Sequence, residues 1–288
     1  MVLDTGEYFS ATISQSVTIV AEAGVHAAIS TSNGNAITVS GTGLSVTLRG
    51  LYFWGTPAFN IPNQGVYLPG GNSLTVERCH FTGFALTPGS SSDGTAISIV
   101  GNGAGRVQAK IIDTVIEEGS IGIQIVGAVT ASISNVKLFN LSVVGIGVTD
   151  GAYGEADVSA SNVEWNGPSL GGATAFQVIN QATPYPAEFF LDHAVVTGGT
   201  NGVLAKSGGG LAYVTVTNSV FSKANMGIAA QAPATGTTIV NVSSSTFDAN
   251  GSGVGASGTN ATIYTSGNNV FVGNGSNYFG NFIHFATF

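Results

Sequence analysis

The stretch Tyr213-Val214-Thr215-Val216-Thr217-Asn218-Ser219-Val220-Phe221 decides the fold, because it returns one winding later as Ile239-Val240-Asn241-Val242-Ser243-Ser244-Ser245-Thr246-Phe247. Apolar and polar residues alternate, which is the period of a strand. A bend residue follows, and a large apolar side chain stands three positions after it. Asn and Gly suit such a bend because they tolerate left-handed backbone.

Working outward in both directions, the large position is held by Phe53, Phe81, Ile116, Leu138, Trp165, Val196, Phe221, Phe247 and Phe271. The bend position reads Gly50, Arg78, Asp113, Asn135, Asn162, His193, Asn218, Ser244 and Asn268. Arg78 and His193 fit a bend poorly. The asparagines of this column are expected to hydrogen-bond one another when stacked. Two inward columns precede the bend: Val46, Leu74, Ala109, Ala131, Val158, Phe189, Val214 and Val240, then Leu48, Val76, Ile111, Ile133, Ala160, Leu191, Val216 and Val242. A further strand opens on Gly plus an apolar residue, as in Gly65-Val66, Gly122-Ile123, Gly145-Ile146, Gly202-Val203 and Gly227-Ile228. A strand-only repeat of 20 to 40 residues, taken as an order of magnitude, is a solenoid of stacked coils. The expectation is one all-β domain over 1–288. It has three strands per coil and about ten coils, over roughly 2–275, with an aromatic tail at 276–288.

Composition narrows the partners. Charged residues are 8% of the chain, against roughly 25% in ordinary soluble domains. No apolar run reaches the ~20 residues of a membrane helix, so no membrane span is expected. The strands are also shorter than those of an outer-membrane barrel and are broken by polar bends. A net charge of −8 with seven Lys and Arg argues against nucleic acid, which needs a basic stripe. Cys79 is the only cysteine and falls in an inward column, so it reads as a small buried residue. No secretory leader precedes the first turn-and-strand pattern, as though a longer precursor had been trimmed.

The Gly-apolar strands, the column Asn135, Asn162, Asn218 and Asn268, and the opening Val2-Leu3-Asp4-Thr5-Gly6-Glu7-Tyr8 before Val17-Thr18-Ile19-Val20 carry a resemblance. The chain resembles a right-handed parallel β-helix of the pectate-lyase-like superfamily. Within it, the chain looks most like the uncharacterised bacterial β-helix repeat proteins. The resemblance implies secretion or a cell-surface location. It also implies cleavage of acidic polysaccharides by carboxylates on the face of the Gly-apolar strands, often with Ca2+ and a basic residue. Here that face shows Tyr67, Ser98, Gln124, Gly147, Gln177, Leu204, Ala229 and Gly255. It lacks the paired acids of a glycosidase and the base and charge neutralisation of a lyase. The chain departs from the family pattern at the place where catalysis would sit.

The richer cluster lies on the strand after the bend. Tyr52, His80, Lys137 and Glu164 fall in one outward column, and Trp54, Glu117, Phe139 and Asn166 in the next. Stacking places Lys137 beside Glu164 and Glu117 near Thr82 and Phe139. Aromatic faces take apolar sugar faces, and acids and amides read hydroxyls, so this cluster is the candidate glycan site. His80, Glu117, Lys137 and Glu164 are its only candidates for catalysis in a divergent lyase or hydrolase. The plainer alternative is a solvated face with one exposed salt bridge. The loop 149–157 adds Asp150, Glu155 and Asp157 as oxygen ligands for Ca2+. Its Tyr153 is expected to flank a shallow rim with Tyr185 of the loop 180–186. Without Ca2+ the loop is an acidic turn, and no other cofactor is expected. The histidines share no motif spacing, so neither a zinc site nor a Ser-His-Asp triad is supported.

Open solenoid ends expose strand edges and invite association. The apolar tail is expected to fold back as a plug on the last coil; otherwise it would dock onto another copy and build a homo-oligomer end to end. Three functions follow in order: a glycan-binding surface protein, a divergent polysaccharide enzyme, and a structural subunit assembling through its ends.

Overall fold

The computed structural model describes residues 4–32, 34–56, 64–85, 94–168, 172–181, 184–233 and 235–285. The chain winds as a parallel β-solenoid of about ten turns. One turn shows the plan. A leading strand, Val107–Ile112, meets the bend at Asp113; a middle strand, Val115–Glu117, follows; a closing strand, Ile121–Gly127, completes the coil. In the next turn the leading and middle strands run together as Val129–Phe139. Like stacks on like, with Ala109 against Ala131 and Ala131 against Val158. The pairings between named strands are parallel, unlike the antiparallel ladders of an outer-membrane barrel. Among the described residues no helix is long and apolar enough to cross a membrane.

The bend column is left-handed from Gly50 to Ser244, with φ between 50° and 67°. Arg78 and His193 adopt it too, each at φ 52°. Their backbone N–H groups donate to the next coil, Arg78 to Ile112 at 3.0 Å and His193 to Thr217 at 3.2 Å. Continuity of the stack thus imposes a conformation that costs an ordinary residue roughly 1–2 kcal/mol. The expected asparagine stack lies elsewhere. At the bend, Asn135 and Asn218 donate instead to carboxylates, Asp113 at 3.0 Å and Asp192 at 2.8 Å. The stacked amides are Asn250 and Asn274, at the corner between middle and closing strands. There Asn274 Oδ1 accepts from Asn250 N at 3.0 Å, and each amide nitrogen donates to a carbonyl of the coil before it. That corner has its own left-handed column of Gly83, Glu118, Asn140, Gly198, Lys223, Ala249 and Gly273. No single residue type marks it in the sequence.

The inward columns form one continuous core. Phe53 stacks on Phe81 at 4.4 Å, and Phe247 on Phe221 at 5.3 Å and on Phe271 at 4.9 Å. These rings fit because the closing strand opens with glycine. A Cβ on Gly145 would stand 2.8 Å from the Trp165 ring, and one on Gly227 2.7 Å from Phe247. The core column also extends backward, since Tyr8 pairs with Ile29 and Ile29 with Phe53. The detour 21–26 between the leading and middle strands of that coil hides the repeat there.

The tail continues the winding through residue 285 and does not fold back. Ser276–Phe279 stacks on the closing strand before it, and Phe282–Phe285 pairs in parallel with Ile263–Ser266. An extra strand gains a full ladder of backbone hydrogen bonds, which a loose plug would forgo. Residues 1–3 of the opening, 182–183 of the second rim loop and 286–288 of the tail lie outside the described residues.

Candidate functional site

Register sets the site. The first outward column of the middle strands runs Glu7, Ala28, Tyr52, His80, Val115, Lys137, Glu164. The second runs Ser30, Trp54, Thr82, Glu117, Phe139, Asn166. Both columns fall as the alternation predicts, because one face of each middle strand is committed to the core.

Side chains divide this face into two groups. In the first, His26 packs against Tyr52 at 5.1 Å between ring centroids, and Tyr52 meets His80 edge-on at 4.9 Å. His80 Nε2 lies 2.8 Å from Glu117 Oε1. Thr82 Oγ1 donates to Glu118 Oε2 at 3.4 Å. Burial, then the carboxylates of Glu117 and Glu118, raise the Tyr52 phenol above its ordinary pKa. The phenol therefore stays protonated and able to donate. In the second group, Lys137 Nζ sits 3.6 Å from Glu164 Oε2 with both side chains largely exposed. Such a pair contributes little to stability. The four residues considered for catalysis thus form two pairs. Phe139 and Asn166 belong with the second pair by register, Phe139 half-buried and Asn166 exposed.

The concave part of the face lies around Trp54, a residue 44% exposed. Trp54 stands between two depressions. One, of about 480 Å3, is lined by Thr5, Gly6, Glu7, His26, Ala28 and Tyr52. The other, of about 260 Å3, includes Glu7, Ser30 and Thr56 in its wall. Glu7 reaches both. Thr5 Oγ1 accepts from His26 N at 3.2 Å, and Gly6 N donates to His26 O at 3.1 Å, so the first strand is pinned beside the detour. Sequence reading found Tyr52, Trp54, His80 and Glu117 but missed Glu7, His26, Ser30 and Glu118. The signal was the strand Gly6–Tyr8, whose alternation places Glu7 outward.

Tyr153 and Tyr185 rise from the corner between closing and leading strands, away from the Trp54 face. Tyr153 leans over Gly103, where an added Cβ would stand 2.9 Å from its ring. The carbonyl of Tyr185 accepts from Asn180 Nδ2 at 2.8 Å. The carboxylates of this corner do not act as one ligand set. Asp150 is buried and accepts from Asn180 Nδ2 at 2.8 Å and Gln181 N at 2.6 Å. Glu155 pairs with Arg106 at 3.2 Å. Asp157 points outward on a leading strand beside Glu188, whose carboxyl is pushed up by burial, then by Asp157 and Glu155. Among the described residues no three His, Cys, Asp or Glu side chains converge as a metal site requires. Asp150, Glu155 and Asp157, expected to offer oxygens to Ca2+, thus each face different neighbours. Alternation along 149–157 is broken by a tight turn at 151–154, which sends the three acids in different directions.

The outward row of the closing strands is Thr38, Tyr67, Ser98, Gln124, Gly147, Gln177, Leu204, Ala229, Gly255 and Phe279. It carries no carboxylate.

No family model matches the chain, and no curated protein matches it. Several solved structures match the chain, among them the following two. One is the periplasmic alginate epimerase AlgG, at 10% identity over 94% of this chain and 77% of that one, with a TM-score of 0.46. The other is the catalytic domain of a GH87 alpha-1,3-glucanase in complex with nigerose, at 14% identity and a TM-score of 0.47. The alignment takes in 98% of this chain and 62% of the glucanase domain, so the chain spans about three fifths of that domain. Likeness at this identity concerns the path of the backbone and assigns no side chain a role.

Proposed function

We propose that this is an extracellular or cell-surface protein that binds a glycan along its middle strands, in the groove around Trp54. The exposed indole between two depressions carries the reading. Its flat face offers an apolar platform to a pyranose ring. Glu7, Ser30 and Tyr52 line the depressions beside it and offer polar groups to sugar hydroxyls. Concave sites that combine apolar walls with a few polar groups are the usual form of ligand pockets. Stacked coils also extend the face in one direction, which suits a linear polymer.

Trp54→Ala tests this. Affinity for oligosaccharides found on a glycan array should fall at least about tenfold, equivalent to about 1.4 kcal/mol, while the melting temperature holds. Unchanged affinity would place binding elsewhere or nowhere.

A catalytic reading has one observation in its favour, the His80–Glu117 contact with the Tyr52 ring packed against His80. An imidazole held by a carboxylate can accept a proton, and a phenol can return one. New reducing ends or unsaturated uronates on a polysaccharide panel, lost in His80→Ala, would establish it. Intact polymers across the panel would leave a binding groove.

A further inference from the structure

If the middle-strand groove holds a glycan, as proposed above, its charges select which one. One carboxylate, Glu7, lines both depressions, and Glu117 beside His80 and Glu118 beside Thr82 follow farther along the middle strands. His26 lines the larger depression, His80 stands one coil on from Tyr52, and no Lys or Arg lines either depression. The seven Lys and Arg of the chain line neither depression, and of them Lys137 shares the middle-strand face, three coils on from Tyr52. Arg49 and Arg78 are held by Glu77, Arg106 by Glu155, and Lys137 by Glu164. Lys110 faces outward on a leading strand, Lys206 lies on a closing strand, and Lys223 sits at a corner several coils away. Glu7 has no ion-pair partner among the described residues.

A polyuronate would bring a carboxylate on every ring into this field with nothing to neutralise it. An ammonium finds the opposite: a carboxylate for a charge-assisted hydrogen bond and the faces of Trp54 and Tyr52 for cation–π attraction. The net charge of −8 also draws a cationic polymer toward the surface. We propose that the groove binds an oligosaccharide bearing protonated amines, a deacetylated amino sugar, with one ring on Trp54 and its ammonium at Glu7.

The test uses the full chain and three oligomers of equal length: glucosamine, N-acetylglucosamine and galacturonate. Each is titrated calorimetrically at low and raised salt into the parent chain, Glu7→Gln and Trp54→Ala, with circular dichroism as the check on folding. The glucosamine oligomer should bind at least about tenfold more tightly than its acetylated form. That advantage should shrink with salt and vanish in Glu7→Gln. Equal affinity for the amine and its acetylated form overturns the charge assignment, as does tighter binding of the galacturonate. If such binding is still lost in Trp54→Ala, the glycan groove itself stands. Absence of binding by all three oligomers, or binding indifferent to Trp54→Ala, overturns the groove and the amine together.

Discussion

His80 and Glu117 meet at 2.8 Å across one step of the stack, although thirty-seven positions separate them in the chain. Both side chains keep about a third of their surface in water. A contact of this kind positions groups more than it stabilises the fold. Glu117→Gln should therefore change unfolding free energy by less than about 1 kcal/mol, while glycan affinity at the Trp54 groove falls several-fold. Chemical denaturation and calorimetry on the same preparation separate the two. A large loss of stability with unchanged affinity would make the pair purely structural.

Gly227 lies under Phe247, and the space is full. Gly227→Ala should destabilise the solenoid by about 1–3 kcal/mol, the usual cost of overpacking, and lower the melting temperature. Gly172 has nothing within 4 Å of the corresponding position. Gly172→Ala is its control and should leave the melting temperature almost unchanged. Equal effects at both sites would refute the fit between closing-strand glycines and large core side chains.

Cys79 sits in the core column between Leu51 and Thr114, and burial pushes its thiol up to about 11. Its sulfur approaches the carbonyls of Glu77 at 3.4 Å and Leu48 at 3.5 Å. The thiol is therefore protonated at neutral pH and shielded from reagents. Labelling by a maleimide should be slow in buffer and rise steeply across the denaturant transition. Rapid labelling of the native protein would contradict the burial of that column.

Asp192 accepts from Thr217 Oγ1 at 2.6 Å and Asn218 Nδ2 at 2.8 Å, and it also contacts His193. The Thr217 bond, then the Asn218 bond, draw its carboxyl down from 3.8 to about 2. A lowered folded-state pKa adds stability above the unfolded value and loses it as pH falls through the folded one. The contribution should thus be complete above about pH 4 and gone near pH 2, a window taken from that shift. After allowance for solvent screening it is about 1 kcal/mol. Asp192→Asn should narrow the stability difference between pH 5 and pH 2. An unchanged difference would remove Asp192 from the acid response.

Period-two alternation and one recurring large residue were enough to assign the inward columns, the register of the middle-strand face and the solenoid itself. Each coil repeats the same local rule, and a core shared between neighbours leaves little freedom in how coils stack. Arg78 and His193 show the limit of residue preference, since the ladder places them at a bend that neither residue favours. Glu7 and His26 show a different limit. They reach the Trp54 groove because a six-residue detour keeps the strand register while breaking the sequence period. The acids of 149–157 are adjacent in the chain yet diverge in space, because a tight turn reorients each one.

Alternation and repetition are local, so the sequence by itself determined the all-β winding, the core columns and the absence of a carboxylate row on the closing strands. The His80–Glu117 pair, the Asn250–Asn274 ladder and the concavity around Trp54 depend on which side chains meet across coils and at their irregular corners. Those meetings are set by the stacking of distant segments, so only the tertiary structure decided them.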